Sequence, residues 1–432
     1  MLILTIIILM LRSSFTSTAT FLSTDNEKSA TGEANNFELT LSTDPKIQSI
    51  IDMINETMLR NYLETLVGFA PRYTGTYGCE KTAEYIYNHF ESLGLDVRYQ
   101  EWTAFGNRWH PGIFTSNNVE GTLPGAESDR TIIFNAHYDT VKGTPGADDN
   151  GGSVAAVLTA AYVLSQFEFN HTLKFVTFSG EEIGLLGSHA YAKEAYYNND
   201  EIIVDLNADM IAHTATPEGA HRFRAYGTQD TEWVLDAIEG INTDYGIDFE
   251  LIRGIIDEEG MGGSDYFSFV EYGYEAVAFF EHDWNPRMHQ ENDTIEFIDF
   301  NYLVNTTRLI VATMAYLADS DCAHPYVQIE FPKMGKSYRK GEEKRDIRDL
   351  STLVFNDIWI WANVQPESTA IERAEFYYDN NLEYTDYEPP FKWHMNKLSI
   401  RKHTITVIVY DTLGRTAQDS IDICYINLFT RR

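Results

Sequence analysis

The 432-residue chain carries 65 acidic against 32 basic side chains, a formal charge of −33, and 44% of it is hydrophobic. So much apolar content excludes a mainly disordered chain, and so acidic a surface argues against nucleic acid and anionic membranes as partners. The length predicts two domains, one of them large.

At the N-terminus, Leu2–Leu11 is an apolar run too short to span a bilayer as a helix. Followed by Ser/Thr-rich sequence that includes Ser17-Thr-Ala19, it reads as a secretory signal over 1–22, although no charged residue precedes Leu2 and Arg12 lies on the wrong side. The expectation is an exported protein, secreted or on the cell surface, with no membrane span once the signal is removed. Residues 23–44 are polar and read as a flexible lead-in. Three cysteines make no disulfide framework; Cys322 and Cys424 bracket the C-terminal region and could pair after export, buried free thiols being the alternative. Asn55, Asn170 and Asn305 head glycosylation sequons.

From Asp44-Pro45 a helical spacing runs through Ile47, Ile50, Ile51, Ile54, Met58 and Tyr62, until Pro71-Arg-Tyr-Thr-Gly75 breaks it. Glu80–Leu93 is a second amphipathic helix, ended by Gly94, and Val97–Trp102 alternates as a strand. Strands and helices then alternate from Asn117 to Glu281: strands at Thr131–Ala136, Leu173–Phe178, Ile202–Leu206 and Ala276–Phe280, helices at Ser153–Gln166, Leu185–Glu194 and Trp233–Ile241. A long helix, Tyr302–Leu317, closes this part. The pattern predicts an α/β domain over 45–320, with a mostly parallel central sheet flanked by helices. Beyond Ala323-His-Pro325 come short alternating runs separated by turns, which predict an all-β sandwich over 324–432, with Lys336–Asp349 a solvated loop inside it.

In open α/β sheets, sites form at the carboxyl ends of strands. His137 and Asp139 follow the first of these strands, leading into a Gly-rich loop with Asp148 and Asp149; Glu181 and Glu182 follow the second, Asp209 the third, and His289 and Asp293 lie beyond the fourth. Separate loops thus bring imidazoles and carboxylates to one sheet edge. These are ligand types zinc accepts, and one carboxylate can bridge two ions about 3.5–4 Å apart.

The set His137-Tyr-Asp139, Gly146-Ala-Asp-Asp-Asn-Gly151, Ser179-Gly-Glu-Glu182, Asn207-Ala-Asp-Met210 and His289-Gln-Glu-Asn-Asp-Thr294 resembles the two-zinc aminopeptidases of the family that also contains glutaminyl cyclases. The likeness extends over Pro45–Asp319, including Gly184-Leu-Leu-Gly-Ser188 and Gly263-Ser-Asp-Tyr266. It implies a zinc-exopeptidase-like fold and two Zn2+ per chain. His137, Asp149 and Asp209 would hold one ion, and Asp149, Glu182 and His289 the other. Counting back from Gly151 the family pattern selects Asp149 over Asp148 as the bridge. Glu181 would be the general base and Asp139 the carboxylate orienting His137. The implied substrates are the N-termini of peptides or proteins. A carboxypeptidase or dipeptidase, a glutaminyl cyclase and a non-enzymatic receptor-like relative are the alternatives. Ser153 replaces the usual Gly, Tyr266 a frequent His, and Met288 a Tyr that polarises the carbonyl in some relatives; none of these removes a ligand. Ala374–Asp379, Tyr384–Pro390 and His403–Gly414 resemble an immunoglobulin-like module of secreted microbial proteins, whose role would be a spacer or binding accessory.

Overall fold

A computed structural model of the chain describes residues 43–428 apart from 127, 257–262, 321–324, 348–351, 366–369 and 413–414. The signal, nearly all of the lead-in and Cys322 lie outside the described residues.

Asp44 opens helix α1 (Pro45–Met53) by accepting from the Lys46 N–H at 2.7 Å, with Pro45 where its missing N–H costs nothing. The apolar spacing does not continue as one helix to Tyr62. Asn55 is extended, and its side chain accepts from the Met58 N–H at 3.2 Å to start α2 (Glu56–Gly68). An Asn that bonds to backbone N–H groups competes with helix continuation, so it interrupts the periodicity without disturbing the apolar face. Then follow α3 (Tyr77–Ser92) and the hairpin β1 (Asp96–Phe105) and β2 (Ile113–Leu123).

The rest of the α/β part is built from β3 (Ser128–His137), α4 (Ser153–Leu164), β4 (His171–Phe178), α5 (Leu186–Asn198), β5 (Ile202–Ala208), β6 (Arg222–Gly227), α6 (Glu232–Asp244), β7 (Glu250–Ile255), α7 (Tyr266–Glu271), β8 (Ala276–Glu281) and α8 (Phe300–Asp319). Eight strands form one sheet in the order β1-β2-β4-β3-β5-β8-β6-β7. The middle strands β4, β3, β5 and β8 are mutually parallel, as the alternating pattern predicts. They are apolar on both faces because helices cover both. The margins are antiparallel: β2 against β4, and β6 against β8. Of the strands missed from the sequence, β2, β6 and β7 are marginal and carry polar side chains such as Asn117, Asn118, Arg222 and Arg224, which blur the alternation. Helix α4 is apolar all round because it is enclosed, packing on β3 and β4 beneath α2 and α8.

Beyond residue 325 the chain forms a seven-stranded and a three-stranded sheet that share a core of their own, with Ile329, Ile360 and Met395 meeting Phe376, Val407 and Tyr425. The charged stretch predicted as a loop is instead a hairpin, Lys336–Arg339 against Glu342–Asp346. Its outer strand is exposed throughout, so polar side chains cost it nothing. This region is fastened to residues that precede β5 and α6. Tyr197 Oη donates to the Met334 carbonyl (2.7 Å), Lys333 Nζ to Asn199 Oδ1 (2.8 Å), and Gln418 Nε2 to Asp230 Oδ2 (3.0 Å).

Replacing Asn55 with Ala should lower stability by about 1 kcal/mol, and Asn55→Gly by only a few tenths, read as shifts in a urea midpoint.

Candidate metal centre

The strand β3 ends at His137, and the chain then crosses the carboxyl edge of the sheet before entering α4. Gly146 turns it with φ +63°, where an added Cβ would come within 2.4 Å of Thr140 Cγ2 and 2.6 Å of the Asp149 carbonyl. The Asp149–Asn150 peptide bond is cis. Two buried groups hold this turn. The Arg72 guanidinium, fully buried, donates to the carbonyls of Tyr138, Pro145 and Gly146 at 2.8–2.9 Å. The Asp293 carboxylate accepts from the N–H groups of Asp148 (3.0 Å) and Asp149 (3.1 Å). Asn150 then staples the turn to the end of β5, donating to the Ala208 carbonyl and accepting from the Met210 N–H, on either side of Asp209.

The result is a tight constellation. Asp149 Oδ1 lies 3.5 Å from His137 Nε2, and Asp149 Oδ2 lies 3.1 Å from His289 Nε2. Asp209 Oδ1 is 3.5 Å from His137 Nε2, and Glu182 Oε2 is 3.1 Å from His289 Nε2. The other Glu182 oxygen accepts from the Val141 N–H, which fixes the side chain's direction. Potential ligand atoms of His137, Asp149 and Asp209, and of Asp149, Glu182 and His289, lie within 4.8 Å of one another in each group. Asp148 turns away: Asn285 Nδ2 donates to it at 2.7 Å and the Ala212 N–H at 3.3 Å.

Asp139 departs from its expected contact. Its carboxylate oxygen Oδ1 is 3.7 Å from His137 Nδ1, too long for a hydrogen bond, whereas its main-chain carbonyl is at 3.2 Å. The carboxylate instead accepts from Thr74 Oγ1 (2.8 Å) and the Glu181 N–H (3.2 Å), so it fixes the start of the Glu181-Glu182 loop. Asp293 lies in the His289 loop and supports the opposite one, accepting from the Asp148 and Asp149 N–H groups. Asp265 heads α7 without capping it, and its carboxyl group is fully buried.

Electrostatics identifies what the cluster lacks in protein groups. Among the described residues no Lys or Arg forms an ion pair with Asp149, Glu182 or Asp209; their ion-pair contacts are the two imidazoles. Burial and the neighbouring Asp149 push Glu182 up to about 7. Hydrogen bonds that His289 donates to Asp149 and Glu182 push it up to about 10, and His137 is raised despite complete burial because Glu181 and Asp209 surround it. Two imidazoles and Glu182 that bind protons more tightly than usual, with Asp209 held down by His137, mark a strongly negative cavity, which a divalent cation would satisfy better than protons do. The donor set fits zinc. His289 is 43% exposed and His137 only 1%, so the cluster opens to solvent on the His289 side, into a cleft of about 840 Å³.

Residues 118–314 match the family model described as Peptidase family M28. This region belongs to peptidase family M28. The protein is thus a hydrolase of the metallo-aminopeptidase class. It is 26% identical over 293 residues to Leucine aminopeptidase 1 of Sclerotinia sclerotiorum, covering 63% of this chain and 74% of that one. To a Probable leucine aminopeptidase of Trichophyton verrucosum it is 27% identical over 289 residues, covering 62% and 73%. The fold matches the aminopeptidase from Aneurinibacillus sp. strain AM-1 with a TM-score of 0.54 at 20% identity (63% of this chain, 96% of that one). It also matches a glutaminyl cyclase of Fimbriiglobus ruber, at 0.53 and 21% (61% and 95%). The M28 match covers every residue of the constellation, whereas Arg72 lies before it.

Arg72, Asn150 and Asn285 were not legible as site residues, since none is of a type that holds zinc and their partners are main-chain groups or a non-ligand carboxylate. Replacing Asp293 with Ala should weaken zinc binding about 10–100-fold by releasing the backbone of Asp148 and Asp149, measured by competition with a fluorescent chelator.

Proposed function

We propose that this M28 protein is an exported zinc aminopeptidase that removes residues from peptide N-termini, with His137, Asp149 and Asp209 around one ion and Asp149, Glu182 and His289 around a second. The observation that carries the reading is Asp149, whose two oxygens face two different imidazoles. Zinc held in this donor set supplies Lewis acidity, lowering the pKa of water and polarising the scissile carbonyl.

The chain's own residues do the remainder. Glu181 is half-buried beside Glu182, and its proton affinity is raised by desolvation and by neighbouring carboxylates although His137 opposes this. It accepts the proton of the attacking water and returns it to the leaving amine. Asp139 sets the position of Glu181 through the backbone N–H, and its carbonyl fixes the tautomer of His137 with Nε2 toward Asp149 and Asp209. A free substrate ammonium complements the carboxylate-rich mouth, which favours hydrolysis from the amino end. The leucine aminopeptidase names of the sequence relatives support this direction. Residues 45–320 act as the peptidase domain and 324–432 as an accessory β domain, with 1–22 directing export.

Purified protein should contain about two zinc per chain by elemental analysis. Glu181→Gln should keep that content while its turnover of aminoacyl-anilides falls about 10²–10⁴-fold. Full turnover in that variant would sink the mechanism. Removing the metal with a chelator should abolish hydrolysis, and zinc should restore it.

A further inference from the structure

One wall of the cleft adjoins the metal cluster but is not part of it. Met210 follows Asp209 in the chain and Met288 precedes His289, and both line the cleft together with Phe267 and Phe280. The Glu281 N–H donates to the Met210 carbonyl at 2.8 Å, which ties the end of β8 to this wall. Arg224, on β6, is the direct register partner of Phe280. It therefore occupies the same face of the sheet, and it too lines the cleft.

Arg224 is the sole Lys or Arg among the described residues lining this cleft. Its Nη1 donates to a main-chain group, the Glu281 carbonyl, at 3.2 Å. Two acidic neighbours also line the cleft, but other groups hold them. Glu281 accepts from the His213 N–H (2.7 Å), while Asp283 accepts from the N–H groups of Ala215 and Thr216, from Thr216 Oγ1 and from His282. Two residues earlier on the same strand, Arg222 pairs with both Glu218 and Glu250. Arg224 pairs with neither a Glu nor an Asp among the described residues. A guanidinium carries five donors in a rigid fork matched to a carboxylate. Opposite Phe280, in a cleft that Met210, Met288 and Phe267 also line, that fork could take an incoming carboxylate in surroundings poorer in water than the open surface, where such pairing is stronger and more selective than a gain or loss of one methylene.

We propose that Arg224 recognises a carboxylate of the peptide substrate, so that the enzyme favours acidic over purely aliphatic ligands in this side pocket. The proposal rests on the aminopeptidase reading. The carboxylate has two sources of the same chemistry: an Asp or Glu side chain at the substrate N-terminus, or the free C-terminus of a dipeptide.

The test uses the full-length, zinc-loaded protein and compares wild type with R224M and R224K. One arm measures kcat/KM for Glu-, Asp- and Leu-p-nitroanilide; the other compares Leu-Gly with Leu-Gly-amide. Each result is read as a ratio within one variant, which cancels any difference in folded fraction. In R224M either the acidic-to-Leu ratio or the acid-to-amide ratio should fall about tenfold or more, mainly through KM, with R224K intermediate because its ammonium keeps the charge without the fork. A fall in the first ratio assigns the side-chain source, and a fall in the second the C-terminal one. Both ratios staying within about twofold of wild type in both variants would overturn the role of Arg224 while leaving the aminopeptidase reading intact. Wild type that cleaves none of the five substrates would overturn both.

Discussion

Asp149 can turn one oxygen toward each of two imidazoles because its own backbone is held from behind. Asp293 accepts from two successive N–H groups there, and Arg72 gathers the carbonyls on the other flank of the turn. The loop that supplies His289 also supplies Asp293, so imidazole and anchor arrive together and their relative position is set over a few residues. Asn150 does the same for Asp209 at the end of β5. These contacts are what confines so many carboxylates to one cavity. Burying like charges together is costly, and that cost is offset by backbone N–H donors behind the cluster and, on the proposed reading, would be offset further by cations in front of it.

Much of this was legible in the sequence because the candidate ligand residues follow the ends of strands, and the strands in the middle of the sheet are strongly apolar. Thr131–Ala136 and Ala276–Phe280 could be recognised as strands from composition alone, and with them the edge to which His137 and His289 belong. The choice between Asp148 and Asp149 rested on a resemblance. In the fold the two side chains diverge, Asp148 toward Asn285 and Asp149 toward the imidazoles. What could not be read has a common cause. Arg72, Asp293 and Asp139 act on main-chain N–H and C=O groups, and a sequence does not show where a backbone group will point. Asn55 was hidden in another way, since its capping bond leaves the apolar spacing of the two helices in phase.

The C-terminal β region occupies the opposite end of the sheet from the cluster. Its fastening points are Tyr197 and Asn199 ahead of β5 and Asp230 ahead of α6, whereas His137, Glu181, Glu182 and Asp209 follow the carboxyl ends of β3, β4 and β5. None of its residues lines the cleft among those described. An influence on activity would therefore have to pass through the strands or through placement of the enzyme, not through contact with the bound peptide. Part of the cleft wall, Met210 and Met288, comes from residues next to Asp209 and His289, whereas Arg224 and Phe267 reach it from β6 and α7.

The central claim is that Asp149 lies between two metal ions. Anomalous diffraction at the zinc edge from crystals of the full-length protein tests it most directly. The account predicts two peaks per chain, one bounded by His137, Asp149 and Asp209 and the other by Asp149, Glu182 and His289. A single peak, or two peaks that do not share Asp149, would contradict it.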